Sequence, residues 1–302
     1  MLNIYESVAS NKRKTWIIMG LFILFIGGVS WFFGEVLNYG PSFVGLGLIM
    51  AGLMSFASYW WSDKIILTIS GAKPANHQEH FHFYTVAENL SLAAQIPKPK
   101  LYVINDTAMN AFATGRDPKH AVVCATTGLL ERLNRTELEG VVAHELSHIR
   151  NYDIRLMSIV TILVGMVTLL ADWFLRASWF GGSRRDRNKG GQIQALIAVL
   201  GILLALLSPL IAQLIQLAIS RRREFLADAS AVMLTRQPSG LIKALQKITM
   251  DTEPLEAANK ATAHLYITNP LKNHHDSVGW FAGLFRTHPS VKERIKMLEK
   301  ME

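Results

Sequence analysis

The sequence predicts an α-helical membrane protein carrying a mainly α, small β-sheet (α+β) domain on the cytoplasmic side of the bilayer. Three observations predict it. Only 18% of the 302 residues are charged while 50% are hydrophobic, against about 25% charged in an ordinary soluble domain. The deficit is concentrated in four uncharged runs, Thr15–Gly34, Val36–Ser62, Leu156–Ala171 and Gly190–Ser220, of 20, 27, 16 and 31 residues. The 208 residues outside them hold all 54 charges, about 26%, close to the soluble norm. The chain therefore blends two ordinary materials, an apolar anchor and a water-facing domain.

Residues 1–62 form the first unit. At 1.5 Å per residue, about 20 residues cross a ~30 Å hydrocarbon core, and both runs in this unit are long enough. Lys12, Arg13 and Lys14 precede the first run and only Glu35 separates the two. Basic residues stay in the cytoplasm, so the pair reads as a tight transmembrane hairpin with a cytoplasmic N-terminus. The first apolar stretch exceeds the 7–15 residues of a signal peptide and lacks a clear small-x-small cleavage site. The spacing Gly47-x-x-x-Ala51 permits close helix packing.

Residues 63–155 return to the cytoplasm as a mixed α/β block. Ala75–Gln95 has helical periodicity and stops before Pro97 and Pro99. Leu101–Ile104, Asn110–Thr114 and Ala121–Ala125 are short strand candidates separated by Asn-Asp and Gly-Arg-Asp-Pro turns. Thr136-x-x-Glu139 has the form of a capping box opening a helix that runs through His148 and beyond. Residues 156–220 are a second apolar hairpin. Its connecting segment, 172–189, holds Arg176, Arg184, Arg185, Arg187 and Lys189 against Asp172 and Asp186. Either that basic loop is exported against the positive-inside rule, or the two runs do not fully cross. Residues 221–302 read as helical, looser around Asn269–Gly283.

The single cysteine, Cys124, excludes a disulfide framework and cysteine-based metal clusters and reads as a buried strand residue. The formal charge of +8 calls for an acidic partner. Arg221, Arg222 and Arg223 at the end of an apolar run read as anchors to an anionic lipid bilayer. No aromatic-interleaved basic groove supports nucleic acid.

The chemistry lies in His144-Glu145-Leu146-Ser147-His148. On a helix, positions i and i+4 share a face about 5–6 Å apart, so both imidazoles reach one ion. Zinc takes nitrogen donors in tetrahedral geometry, and a catalytic site leaves one position for water. Glu145, roughly 100° around the helix, stands beside the ion and can take a proton. Leu138, Val141, Val142 and Ile149 supply the helix with an apolar side. Glu224 and Asp228, again at i and i+4, offer a third ligand and a carboxylate to accept the other N–H of a ligand histidine, His144 first. His77, His80, His82 and His120 lack ligand spacing to the motif, and His274-His275 reads as a solvated loop.

These residues, with Asn110-Ala-Phe-Ala-Thr-Gly115, Thr127-Gly-Leu-Leu130, Val142-Ala-His-Glu-Leu-Ser-His-Ile149, Arg223-Glu-Phe-Leu-Ala-Asp228, Ala263-His-Leu-Tyr266, Asn269-Pro-Leu271 and Thr287-His-Pro-Ser with Arg294, are the basis of a resemblance over nearly the whole chain. It resembles the HtpX-type membrane zinc endopeptidases, relatives of the CAAX prenyl proteases in the gluzincin group. The resemblance implies a zincin-type catalytic domain with one zinc ion per subunit. It implies His144, His148 and Glu224 as ligands, Glu145 as general base, His288 as oxyanion stabiliser and Arg294 as support. It also implies quality control of membrane proteins in a bacterial inner membrane. Two positions depart from the pattern: Tyr152 where a basic residue is expected, and Ser290 where proline is expected.

His148 and Glu224 lie 76 positions apart with the second apolar hairpin between them, which predicts an active site at the membrane surface. An extended substrate, a membrane protein or unfolded polypeptide, is expected to add as a strand alongside Asn110, Ala111, Phe112, Ala113 and Thr114, because edge pairing reads backbone. Two rivals are an intramembrane-cleaving metalloprotease and a non-catalytic zinc scaffold or chaperone. Arg150, Asp153 and Arg155 directly after His148 argue against the first, and Glu145, which a structural site does not need, against the second.

Overall fold

The computed structural model describes residues 4–36, 40–180, 221–251, 253–256, 262, 265–267 and 289–302. His288, His274-His275 and the fourth apolar run lie outside the described residues.

Two long helices open the chain, α1 (Ile4–Val36) and α2 (Pro41–Trp60), with Gly40 N, just ahead of α2, donating to Gly34 O of α1 at 3.2 Å. Both contain stretches long and apolar enough to cross a membrane, Val8–Phe32 and Pro41–Trp60. On α2 the buried residues are small, Ala51, Ser55 and Ser58, whereas Leu46, Ile49, Leu53 and Phe56 face outward.

A short helix α3 (Ser62–Ile69) leads to a four-stranded mixed sheet of β1 (Lys73–Pro74), β2 (Lys100–Ile104), β3 (Ala111–Gly115) and β4 (Ala121–Thr126), in spatial order β1-β2-β4-β3. β2 and β4 are parallel, and the other two pairings antiparallel. The three longer strands fall within a residue of expectation. The helix expected from Ala75 starts later: α4 spans Phe81–Ala93, because Asn76–His80 form turns in which Asn76 Oδ1 accepts from Gln78 N, a local bond that competes with helix.

β3 and β4 are buried along their whole length, and their alternation divides two cores. Ala111, Ala113, Val123 and Ala125 face a core built on α4 and the later helices, while Phe112 and Cys124 face one built on α1, α3 and the helix that begins at Asp153. The sheet is thus a wall between the water-facing helices and the apolar ones. Cys124 is fully buried, and burial pushes its thiol pKa up.

After the short α5 (Thr127–Arg132) comes α6 (Arg135–Arg150), which carries the H-E-x-x-H motif. Its capping box lies two residues earlier than Thr136/Glu139. Asn134 Oδ1 accepts from Glu137 N at 3.0 Å, and Glu137 Oε2 accepts from Asn134 N at 2.9 Å. Glu137 is buried and also receives Lys247 Nζ at 2.7 Å, whereas the expected Glu139 pairs outward with Arg135. The helix ends at Arg150 in an elbow where Tyr152 adopts φ 60°. Its ring lies 4.4 Å from Lys12 Nζ and 4.9 Å from the Arg155 guanidinium, so the departure at Tyr152 is an aromatic held between two cations. From there α7 runs Asp153–Phe180. It begins ahead of position 156 and continues past Ala171 through Asp172, Trp173, Phe174 and Leu175 to Phe180, the extension that the 16-residue run needs to reach a spanning length.

The C-terminal part supplies α8 (Arg221–Thr235), α9 (Pro238–Met250) and α10 (Val291–Leu298). α6 and α9 cross at reciprocal glycines: a Cβ on Gly140 would meet Leu241 N at 2.7 Å, and one on Gly240 would meet Thr136 O at 2.6 Å. Ser290, the second departure, caps α10, accepting from Glu293 N at 3.2 Å. That cap starts the helix whose first turn holds Arg294.

Candidate metal centre

Three elements converge on one point. α6 contributes His144 and His148, α8 contributes Glu224, and all three side chains are buried. One donor atom from each lies within 4.8 Å of the others. His144 Nε2 and His148 Nε2 are 3.2 Å apart. Glu224 Oε2 is 3.7 Å from the former, and Oε1 is 3.5 Å from the latter. Glu145, also buried, lines the same cavity together with Ala113, Ile154, Met157, Leu265 and Ile267.

Each imidazole is oriented through its other nitrogen. His144 Nδ1 lies 2.9 Å from Asp228 Oδ1, and His148 Nδ1 lies 3.0 Å from Asp153 Oδ2. Both Nδ1 atoms therefore carry hydrogens donated to carboxylates, which turns both Nε2 atoms toward the common point. Asp228 itself accepts a bidentate pair from Arg294, at 2.8 Å from Nε and 2.6 Å from Nη2. Arg294 Nη2 is 3.3 Å from His144 Nδ1, but with that nitrogen donating to Asp228 the pair is a contact between two donors. Arg294 Nη1 donates to Ile267 O at 3.2 Å and lies 3.7 Å from Glu224 Oε2.

The electrostatics differ between the two histidines. Burial lowers the His144 pKa to about 4, with the Arg294 charge acting in the same direction, so the ring is neutral. Burial also opposes charge on His148, but the Asp153 hydrogen bond and the Glu224, Asp153 and Glu145 charges outweigh it and raise its pKa to about 9. Its Nε2–H then donates to His144 Nε2. Burial acts against both Asp228 and Arg294, yet each holds the other charged, the carboxyl pKa down and the guanidinium pKa up.

The structure brings together His144, Glu145, His148, Glu224, Asp228 and Arg294; His288 lies outside the described residues. Among the expected strand residues, Asn110 O accepts from Thr126 N at 3.0 Å and so points toward β4. By alternation Phe112 and Thr114 do likewise, while Ala111, Ala113 and Gly115 turn their backbone groups to the outer edge. Two of those positions are taken: Ala111 O accepts from Ile267 N at 3.0 Å, and Gly115 N reaches Ser158 Oγ at 3.4 Å. Ala113, on the cavity wall, is the position between them.

Asp153 escaped sequence reasoning as a site residue. Its position five residues past His148 is off any helical face, because α6 has ended and the Tyr152 elbow turns the chain back. Arg223 differs from expectation too. Its side chain turns inward, with Nη1 donating to Asn11 Oδ1 at 2.8 Å and Nε 3.6 Å from Asp153 Oδ1. Arg221 and Arg222 are exposed.

A mostly helical chain with a small mixed sheet, an H-E-x-x-H helix and a buried His-His-Glu donor set defines a metallopeptidase. Residues 78–302 match peptidase family M48, and the chain belongs to that family: it is a metalloprotease, a hydrolase of peptide bonds. A protease HtpX homolog of Caldanaerobacter subterraneus subsp. tengcongensis is 44% identical over 299 residues, covering 99% of this chain and 98% of its own length. That of Thermoanaerobacter pseudethanolicus is 44% identical over 301 residues with the same coverage. That of Ligilactobacillus salivarius is 42% identical over 306 residues, covering 99% and 100%. The crystal structure of S. mikatae Ste24p aligns with 95% of this chain and 67% of its own at a TM-score of 0.48 and 18% identity.

Proposed function

We propose that the chain is a zinc-dependent endopeptidase of the bacterial inner membrane, multi-pass, with one zinc per subunit and its site at the cytoplasmic surface. One observation carries the metal reading: two buried imidazole Nε2 atoms face each other at 3.2 Å while both Nδ1 atoms are engaged by carboxylates. Donors about 2.0–2.1 Å from one tetrahedral zinc lie about 3.3 Å apart, and the observed 3.2, 3.5 and 3.7 Å separations fit that donor set. His144, His148 and Glu224 would hold the ion, Asp228 and Asp153 would orient the two rings, and Arg294 would support Asp228.

Bound zinc supplies Lewis acidity, polarising a carbonyl and acidifying water at the site. Glu145 takes the proton released by the attacking water and returns it to the leaving amine. His288 stabilises the developing oxyanion, a role often worth about 10²–10³ in rate. Substrate runs along the outer edge of β3, where Ala113 offers its backbone groups beside the metal donors and residues 265–267 bound the far end.

The membrane setting rests on α1, α2 and the direct passage of α7 from the elbow below His148 into apolar sequence. It divides the chain as 1–62, 63–155, 156–220 and 221–302, and supports membrane proteins and unfolded polypeptides as substrates. Glu145→Gln in the purified full-length protein tests the scheme. Zinc content should hold while peptide hydrolysis falls about 10²–10⁴-fold, the usual worth of general acid–base catalysis. Wild-type turnover by the variant would sink it.

A further inference from the structure

Asn11 lies on α1, ahead of the uncharged run, yet it is 2% exposed and its contacts are with the metal-site helices. Its Nδ2 donates to Asn151 O at 3.0 Å and to Asp153 Oδ1 at 2.7 Å. Its Oδ1 accepts from Arg223 Nη1 at 2.8 Å. With two acceptors on one side and a donor on the other, the amide orientation is unambiguous.

Those three partners are not scattered. Asn151 is the C-cap of α6, Asp153 opens α7 and bonds His148 Nδ1, and Arg223 immediately precedes Glu224. Arg223 Nε, 3.6 Å from Asp153 Oδ1, closes the ring. The same turn of α1 also covers the elbow from outside, through Lys12 over the Tyr152 ring. Asp153 uses one oxygen on His148 and the other on Asn11, so its rotation about Cβ–Cγ is set from both ends.

We propose that Asn11 is a positioning residue for the metal centre: it makes α1 part of the site by holding Asp153 against His148 and Arg223 beside Glu224. This rests on the zinc reading of the His144, His148 and Glu224 donor set. Groups that orient ligands typically change metal affinity about 10–100-fold. Acting one bond further out, Asn11 belongs at the lower end.

Zinc affinity of the full-length protein in detergent, measured by chelator competition, tests it. Asn11→Ala should bind zinc about 10-fold more weakly, while Arg13→Ala, an exposed change two residues on, should match wild type. Asp153→Asn should weaken zinc as well, and adding Asn11→Ala to it should cost less than Asn11→Ala alone, because the two share the Asn11–Asp153 bond and only the Arg223 contact is left to lose. Thermal unfolding of the metal-free forms separates this from general damage, since lost packing alone lowers that temperature without changing the affinity of the folded fraction. If Asn11→Ala does not fold, Asn11→Asp, which keeps the shape but sets a carboxylate against Asp153, should show the same loss. Affinity within twofold of wild type, or full additivity with Asp153→Asn, overturns the proposal. Failure of the wild-type chain to bind zinc would instead overturn the metal reading beneath it.

Discussion

The N-terminal hairpin and the metal-site block have opposite interiors. Along α2 the buried positions are small, Ala51, Ser55 and Ser58, and the large apolar side chains point out, Ile49 at 62% exposure and Leu53 at 59%, while α1 buries Ile18, Met19 and Phe22 in the core beside the sheet. In the block the buried positions include Glu137, His144, Glu145, His148, Asp153, Glu224, Asp228 and Arg294. An apolar surround gives a helix pair no hydrophobic reason to associate, so contact must come from close backbone approach. A watery surround allows charges to be collected inside a folded shell, provided each has a partner. The first interior is sensitive to volume and the second to pairing.

The largest expected effect tests pairing. Asp228→Ala leaves the Arg294 guanidinium, 1% exposed, without its bidentate acceptor. Removing one partner of a buried pair typically costs about 3–5 kcal/mol. Thermal or denaturant unfolding of the metal-free protein in detergent should record that loss, and zinc binding should weaken with His144 no longer oriented. A change below about 1 kcal/mol would mean that water reaches Arg294 and that the block's interior is less dry than its burial indicates.

The next tests the proton between the histidines. In the metal-free chain His148 is held charged, its pKa raised to about 9, and zinc must displace that proton. Zinc affinity should therefore climb about tenfold per pH unit from pH 7 and level off near pH 9. Stability of the metal-free protein should move the other way. A histidine whose folded pKa is raised contributes stability that is complete below its unfolded value, near 6.5, and is lost as pH rises through about 9. Chelator competition and unfolding across that range should give slopes of opposite sign. Flat zinc affinity between pH 7 and 9 would remove the charge from His148.

Much of this was legible in sequence because it is local. A five-residue motif on one helix face, two acids four apart, alternating strands and long uncharged runs each report a period that the backbone imposes. The Asp228–His144 pairing follows from two such periods meeting. What was not legible crosses between elements at a break in the period. Asp153 acts only because Tyr152 turns the chain at positive φ, and Asn11 acts across 140 residues or more. Arg223 looks like a lipid anchor until the fold turns it inward. The capping box is ambiguous in sequence for a related reason: Asn134–Glu137 and Thr136–Glu139 have the same spacing, and burial of Glu137 against Lys247 decides between them.

The smallest effect tests volume, with two glycines of one helix. A Cβ on Gly47 would meet Ser30 Oγ at 1.9 Å and Ser30 Cβ at 2.5 Å, whereas one on Gly52 meets nothing within 4 Å. Rotation of Ser30 can move its Oγ but not its Cβ, so Gly47→Ala must push α1 and α2 apart. Overpacking of this kind costs about 1–3 kcal/mol, offset by the ~1 kcal/mol alanine gains over glycine in a helix. Gly52→Ala collects that gain with no clash. Thermal unfolding in detergent should therefore lower the midpoint for Gly47→Ala and hold or raise it for Gly52→Ala, although the two differ in sequence by five positions of the same apolar helix. Because Asn11 ties α1 to Asp153, displacement at Gly47 should also weaken zinc slightly, and Gly52→Ala should not. Equal behaviour of the two variants would mean the hairpin is not packed through its small residues, and the contrast between the two interiors would fail on its apolar side.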